Sequence, residues 1–120
     1  FGMRYLHNFL PPIVHRDLKS PNILLCDLEN ARASVVAKVA DFGLSSVAAS
    51  ALQGGGDVFS SWQPPEILNL KEYDESADVY SFGIIMWELC TLKQPYDEFQ
   101  FKNIMEKRKR ITDGLRPTVP

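Results

Sequence analysis

The chain has 120 residues, 45% of them hydrophobic, and its formal net charge at pH 7 is −2. That length and apolar content predict one ordinary domain or part of one. No basic excess favours a nucleic-acid partner, and no membrane segment is expected, because the longest apolar run, residues 79–92, is short and interrupted by Glu88. Cys26 and Cys90 lie far apart in apolar stretches without metal-ligand spacing, so we expect both to be buried free thiols.

The first third of the chain predicts a helix followed by short strands. Residues 1–8 carry apolar side chains at helical spacing, and two consecutive prolines then exclude a continuing helix. Short runs of apolar and β-branched residues after this point indicate strands. The predicted strands are residues 13–14, 23–26 and 35–39. The last two would pair through a charged surface loop at residues 27–34.

The second half of the chain predicts helices. Pro65 can start a short helix that continues through Leu68, because proline is tolerated at the first helical position. Residues 76–92 are apolar on almost every helical face, which predicts a buried central helix. Residues 96–110 are amphipathic and predict the next helix. Their basic run at residues 107–110 is interpreted as a solvated helix end, with a docking surface or a nuclear address as alternatives.

Two motifs carry the chemistry. Residues 15–22 read His-Arg-Asp-Leu-Lys-Ser-Pro-Asn, and residues 41–43 read Asp-Phe-Gly. A lone Asp or Asn in a loop usually caps a turn, but turn-capping gives no reason for this shared order and spacing. The motifs resemble the catalytic loop and the magnesium loop of eukaryotic protein kinases. The resemblance implies an α+β fold: the mainly helical C-terminal lobe, with short strands near the catalytic loop and the N-terminal lobe absent.

The resemblance also implies roles for individual residues. Asp17 would accept the proton of the substrate hydroxyl, and Lys19 would neutralise charge on the phosphoryl group of ATP during transfer. Asn22 and Asp41 match the side chains that hold Mg²⁺, a cation that prefers carboxylate and amide oxygens. Leu24 matches the position that packs under the adenine ring.

Other matching positions are structural or regulatory in the family. Arg16 would grip a phosphate on the activation segment. His15 and Phe42 would stack in a hydrophobic column between the lobes, so His15 is expected to be a core histidine, and Gly43 completes the magnesium-loop motif. Asp78 would hydrogen-bond the backbone of the catalytic loop, although a helix N-cap carboxylate explains it in part.

Residues 41–66 resemble the activation segment, and their middle is rich in Ser, Ala and Gly, which favours mobility. Five serines there are candidate phosphosites, each with an unmodified flexible serine as the alternative. They are Ser45, Ser46, Ser50, Ser60 and Ser61. Glu66, in the motif that ends the segment, would pair with an arginine from the last helices of the family's domain. No segment like those helices is present in this sequence.

The activation segment departs from the family pattern before Trp62. Ser/Thr kinases usually have a Gly-Thr pair there, and its threonine helps to hold the residues that match Asp17 and Lys19. Residues 57–61 read Asp-Val-Phe-Ser-Ser instead. Ser60 could substitute for the threonine if the loop shifts register, and without that substitution substrate docking would be weaker.

Two observations narrow the subgroup. Lys19, followed by Ser-Pro, separates the chain from tyrosine kinases, which place Ala or Arg in that slot. Residues 87–89 and 114–117 resemble the tyrosine-kinase-like group of Ser/Thr kinases. Residues 37–43 and 95–99 are similar to its Roco-type members.

Two functions remain open. No glycine-rich phosphate loop or strand lysine precedes the catalytic loop, so the sequence contains half of an ATP site. The chain is expected to be part of a cytoplasmic protein Ser/Thr kinase that acts on protein substrates, or else a silent pseudokinase-like interaction module or degenerate fragment. We expect the isolated chain to be inactive and loosely folded, with Leu24, Phe42 and His15 facing the absent lobe.

Overall fold

The computed structural model describes residues 1–26, 36–47 and 59–120, and it describes Ser46 and Val47 by their backbone alone. Its helices and strands are short, apart from one helix of 16 residues. The helices are α1 (Gly2–His7), α2 (Pro65–Leu68), α3 (Ser76–Thr91) and α4 (Ile104–Thr112). The strands are β1 (Ile13–Val14), β2 (Ile23–Cys26), β3 (Val36–Val39) and β4 (Ser46–Val47), with a 3₁₀ turn at Ser20–Asn22. The predicted α+β fold class is confirmed.

Two small antiparallel sheets place the motifs side by side. In β2–β3 the register pairs Ile23 with Val39 and Cys26 with Val36, as expected of the predicted strand pair. The predicted loop at residues 27–34 lies outside the described residues. In the second sheet, β1 pairs with β4. This pairing brings the start of the predicted activation segment beside the strand that leads into residues 15–22.

Helix α3 is buried along one stripe rather than on nearly every face. Its buried residues recur every three or four positions and are Ala77, Asp78, Ser81, Ile84 and Ile85. Large apolar side chains on the other side are exposed, including Phe82 at 49% and Leu89 at 66%. The prediction of burial all round is therefore wrong, because an apolar face is buried only where another element covers it. In the described part of the chain, that face is open.

The main cluster of buried apolar side chains joins α2, α4 and the turn before α4. Leu68, Tyr96 and Ile111 form its centre, and partly buried side chains pack around them: Phe59, Phe99, Phe101 and Leu115. Each large side chain removed from water stabilises a fold by about 1.5–3 kcal/mol. This cluster therefore fixes α4 against the end of the predicted activation segment.

Helix α4 begins at Ile104, so the prediction that residues 96–103 are helical is wrong. Tyr96 has a φ of 70°, in the left-handed region, which a right-handed helix cannot contain. The helix starts instead with a reciprocal cap. The Asn103 side chain accepts the Glu106 N–H at 2.9 Å, and the Glu106 carboxylate accepts the Lys102 N–H at 2.8 Å.

The basic run in α4 is only partly solvated. Lys109 is exposed and pairs with Asp113, as expected of a helix end. By contrast, the Lys107 ammonium lies 5.4 Å from the ring centre of Tyr96 and 5.6 Å from that of Phe101, and burial lowers its pKa. Arg108 donates to the Leu68 carbonyl oxygen. Arg110 also lies over the Phe101 ring, 5.1 Å from its centre, so three of the four basic residues pack against the fold and Lys109 alone among them is exposed.

The two cysteines differ in their exposure to solvent. Cys26 is half-buried and free, whereas Cys90 is free and exposed, so the expectation of a buried thiol is wrong for Cys90. Cys90 lies on the open side of α3, where none of the described residues covers it. Across residues 1–26, 36–47 and 59–120, no helix is long and apolar enough to span a membrane.

Candidate active site

Helix α3 anchors the catalytic loop through Asp78. This carboxylate is 1% exposed and accepts the backbone N–H of His15 at 2.8 Å and of Arg16 at 3.0 Å. The His7 imidazole Nε2 lies 2.9 Å from it as well. Asp78 does not cap α3, because the N-cap position belongs to Glu75. Its structural task is to hold the loop backbone, which turns through a φ of 71° at Arg16.

The catalytic-loop side chains converge on Asp17. Its Oδ2 accepts the Lys19 ammonium at 2.6 Å and the Asn22 amide at 3.3 Å, and the Asn22 amide also donates to the Asp17 carbonyl oxygen at 2.8 Å. The Asp17 side chain is 11% exposed and that of Lys19 is 27% exposed. Charge-assisted bonds to Oδ2 orient the carboxylate. Among the described contacts Oδ1 accepts no hydrogen bond, so it is available to a proton.

The β2–β3 hairpin brings Asp41 next to Asn22. Past the Ile23–Val39 pair, the Ala40 N–H donates to the Asn22 carbonyl oxygen at 2.9 Å, and Asp41 follows directly. Asp41 is exposed, has a φ of 64° and accepts only a long bond, at 3.4 Å, from the Gly43 N–H. The amide oxygen of Asn22 accepts no hydrogen bond in the described part of the chain.

These two side chains fit a magnesium ion by their donor chemistry. One carboxylate and one amide oxygen are the ligands that Mg²⁺ takes when waters and phosphate oxygens complete its shell. Clusters of three or more His, Cys, Asp or Glu side chains that could cage a metal are absent from the described residues.

The three residues expected to face an absent lobe differ from one another. Leu24 and Phe42 are 54% and 46% exposed. His15 is fully buried, so the expectation of an open His15 is wrong. Its Nε2 lies 3.0 Å from the Ala40 carbonyl oxygen and its ring centre 4.9 Å from that of Phe42. The strand preceding Asp41 covers the imidazole, which is therefore a core histidine, as the sequence predicts.

Ser60 does not replace the missing threonine. Its hydroxyl accepts the Trp62 N–H at 3.4 Å, and its own N–H donates to the Gln63 side-chain oxygen at 3.0 Å. No described contact joins Ser60 to Asp17 or Lys19. These two bonds, each from a backbone N–H to a side-chain oxygen, close a local turn that holds Ser60 beside Trp62.

The candidate phosphosites are scattered over different environments. The Ser45 hydroxyl lies 3.5 Å from the His15 carbonyl oxygen, and the Ser46 backbone pairs with Val14 in β4. Ser61 is half-buried, and Ser50 lies outside the described residues. Arg16, expected to grip a phosphate, stacks over the Tyr73 ring at 5.1 Å.

Glu66 faces an open cavity of about 340 Å³ that it shares with Glu72, Tyr73, Asp74 and Ser76. It is half-buried, and none of the described ion pairs includes it. Within the described residues, the arginine partner that the resemblance implies is therefore not seen. Hydrogen bonds from Ser76 lower the pKa of Asp74, which lies at the entrance to α3.

Glu88 is a residue of this site that the sequence analysis did not identify. Its Oε1 accepts the Ser20 hydroxyl at 3.1 Å and its Oε2 accepts the Trp62 indole N–H at 2.6 Å. It therefore joins the catalytic loop to the end of the activation segment. The available signal was a single acidic residue inside the apolar run of residues 79–92, and the sequence alone does not assign it a partner.

The arrangement agrees with comparison to known proteins. The family model for protein tyrosine and serine/threonine kinases matches residues 1–119. This chain belongs to that kinase family. It is 47% identical over 118 residues to the probable serine/threonine-protein kinase roco8 of Dictyostelium discoideum, covering 98% of this chain and 6% of roco8.

Two further relatives of this kinase chain place it in its subgroup. Cyclic GMP-binding protein C of Dictyostelium discoideum is 49% identical over 125 residues, covering 99% of the chain and 5% of that protein. Serine/threonine-protein kinase CTR1 of Arabidopsis thaliana is 42% identical over 126 residues, covering 98% and 15%. The predicted likeness to Roco-type members of the tyrosine-kinase-like group is confirmed. The kinase chain spans only a small part of the length of each of these relatives.

Proposed function

We propose that this chain supplies the catalytic loop, the magnesium ligands and the substrate platform of an ATP-dependent protein serine/threonine kinase. One observation carries the proposal. The Asp17 carboxylate is fixed by Lys19 and Asn22, and the β2–β3 hairpin presents Asp41 beside Asn22. The catalytic loop thus holds a proton acceptor, a cation and an amide oxygen together, and the backbone bond from Ala40 to Asn22 brings the chain at Asp41 alongside them, which supports phosphoryl transfer.

The residues would act in a single displacement. As a substrate hydroxyl attacks the γ-phosphorus of ATP, a new P–O bond forms and the bond from phosphorus to the β,γ-bridging oxygen breaks, which releases ADP. The free Oδ1 of Asp17 receives the hydroxyl proton. Lys19 neutralises charge near the transferred group, and Asn22 keeps the Asp17 loop in place. Mg²⁺ held by Asn22 and Asp41 would neutralise charge on the phosphates.

The proposal is tested in the gene product that contains residues 1–120, with γ-labelled ATP and a degenerate library of peptides that contain Ser, Thr or Tyr. We expect label on Ser and Thr, because Lys19 occupies the slot typical of Ser/Thr kinases. Phospho-amino-acid analysis measures this directly. Asp113→Asn is a matched control, since this exposed carboxylate pairs only with Lys109 in the described structure. Mainly phosphotyrosine would overturn the specificity.

A catalytically silent interaction module is the second candidate, and the Ser60 turn favours it. The family's threonine would contact the catalytic loop, whereas Ser60 bonds only to its own turn. A silent module would incorporate no label, whether Asp17 is present or replaced by Asn. It would still bind a partner protein through its exposed face.

A further inference from the structure

Glu88 makes two bonds that link distant parts of the chain. Ser20 belongs to the catalytic loop, three residues after Asp17, and Trp62 lies 26 residues before Glu88 in the activation segment. Each carboxylate oxygen of Glu88 accepts a hydrogen bond from one of these two residues. We call these three residues, Ser20, Trp62 and Glu88, the clasp.

Both donors of the clasp are neutral, and no described ion pair includes Glu88. The negative charge of a half-buried Glu88 therefore acts through these hydrogen bonds, which are stronger than bonds between neutral groups. The indole N–H can only donate, so a carboxylate oxygen suits it. The choice of a glutamate in an apolar helix is explained by these two donors.

The clasp acts together with two other contacts of α3. Asp78 holds the backbone at the start of the catalytic loop, and Glu88 holds its other end about 15 Å farther along the helix axis. The buried Ser81 hydroxyl lies 2.9 Å from the Trp62 carbonyl oxygen. Helix α3 therefore fixes both the loop that carries Asp17 and the segment around Trp62 in one frame.

We propose that Glu88 is a positioning residue that sets the peptide-docking end of the activation segment relative to Asp17. The inference rests on the proposed kinase function. Among the described contacts, the Glu88 carboxylate bonds to Ser20 and Trp62 and to none of Lys19, Asn22 and Asp41, so we expect its effect to fall on the peptide. A seryl or threonyl hydroxyl reaches Asp17 only when the surface around Trp62 holds the peptide in register with the catalytic loop.

The test uses the gene product that contains residues 1–120 and the serine peptide library as the probe. Glu88→Ala should raise the apparent KM for the library, or lower kcat/KM for it, by about tenfold or more, since a bond to a charged group is lost. The KM for ATP should stay within about twofold. Trp62→Phe keeps an aromatic ring without the N–H, and it should change the kinetic constants for the library in the same direction. The double variant Glu88→Ala, Trp62→Phe should differ little from Trp62→Phe alone.

Glu88→Gln is the conservative variant. Its amide oxygen can accept the indole N–H and its NH₂ can donate to the Ser20 hydroxyl, so most of the peptide affinity should return. It also tests the inference if Glu88→Ala fails to fold. Asp113→Asn removes an exposed carboxylate that pairs with Lys109 outside the clasp, and it should leave both KM values unchanged.

The outcomes separate the two proposals. Wild-type values of both KM and kcat/KM for the library in Glu88→Ala and Trp62→Phe overturn the positioning role and leave the kinase function intact. Equal losses of ATP and peptide affinity also overturn it, because they indicate general disruption. If the wild-type protein transfers no phosphate to any library peptide, the kinase function fails and the inference fails with it.

Discussion

The Asp78 carboxylate accepts the backbone N–H of His15 at 2.8 Å across a separation of 63 positions. The same carboxylate accepts the Arg16 N–H, where the backbone turns through the left-handed region. A buried backbone N–H without a partner is costly, so these two bonds determine where the catalytic loop can lie. The position of Asp17 is therefore set from the first turn of α3.

Asp78→Asn should destabilise the chain and loosen the loop. The amide keeps one acceptor oxygen but turns an NH₂ group towards a backbone N–H, which leaves a buried donor unsatisfied at about 1–3 kcal/mol. Urea unfolding of the 120-residue chain measures the change. Asp74→Asn is the matched control, because among the described residues this exposed carboxylate is bonded mainly by Ser76, and the substitution should cost about 1 kcal/mol or less. Equal stability of the two variants would contradict the anchoring role.

Local patterns in the sequence predict the paired strands and the start of α2, because alternation and proline placement act over a few residues. The resemblance adds the Asp78 anchor, which no periodicity reveals. The left-handed turn at Tyr96 was missed because the amphipathic pattern continues through it, while the aromatic cluster overrides helix formation. The Glu88 clasp was missed because its donors are 68 and 26 positions away, beyond any local pattern.

Asp17→Asn and Asp41→Asn should separate proton transfer from nucleotide binding. Under the proposed function, Asp17→Asn lowers kcat by about 10²-fold or more and leaves ATP affinity nearly unchanged, because the amide cannot accept the hydroxyl proton. Asp41→Asn should lower turnover and, in addition, weaken magnesium-dependent ATP binding. Turnover and ATP affinity are measured in the gene product that contains residues 1–120. Near-wild-type turnover in Asp17→Asn would show that Asp17 is not the proton acceptor.

Lys107→Met should change how stability depends on pH. Burial lowers the pKa of Lys107 below 10.5, although the Asp97 and Glu98 carboxylates oppose that shift. The folded chain thus binds the lysine proton less tightly than the unfolded chain does. The stability of the wild type relative to Lys107→Met should therefore rise as pH increases through the lowered pKa towards 10.5. The measurement is a set of unfolding curves for both proteins from pH 7 to 10.5.

Lys109→Met is the control for that series. Its ammonium is 74% exposed and pairs with Asp113 on the surface of the same helix. The stability difference between this variant and the wild type at pH 7 should be small, since surface pairs contribute about 0–1 kcal/mol. No change with pH in the difference between Lys107→Met and the wild type would show that burial does not lower the pKa of Lys107.

The wild type should lose stability at alkaline pH because of Tyr96, and Tyr96→Phe should abolish that loss. Burial, followed by the hydrogen bond with the Tyr80 hydroxyl at 3.1 Å, raises the pKa of Tyr96 above its ordinary value of 10.0. The folded chain keeps this phenol protonated, so its contribution is fully present below pH 10 and is lost as pH rises further. At pH 7 the variant should be less stable by about 0.5–1.5 kcal/mol, because one hydrogen bond is lost. Above pH 10 the difference in free energy of unfolding between the wild type and Tyr96→Phe should become smaller. Tyr5→Phe, at a side chain that is 69% exposed, should leave the free energy of unfolding at pH 7 nearly unchanged. A stability difference that stays constant with pH for Tyr96→Phe would show that folding does not raise the pKa of Tyr96.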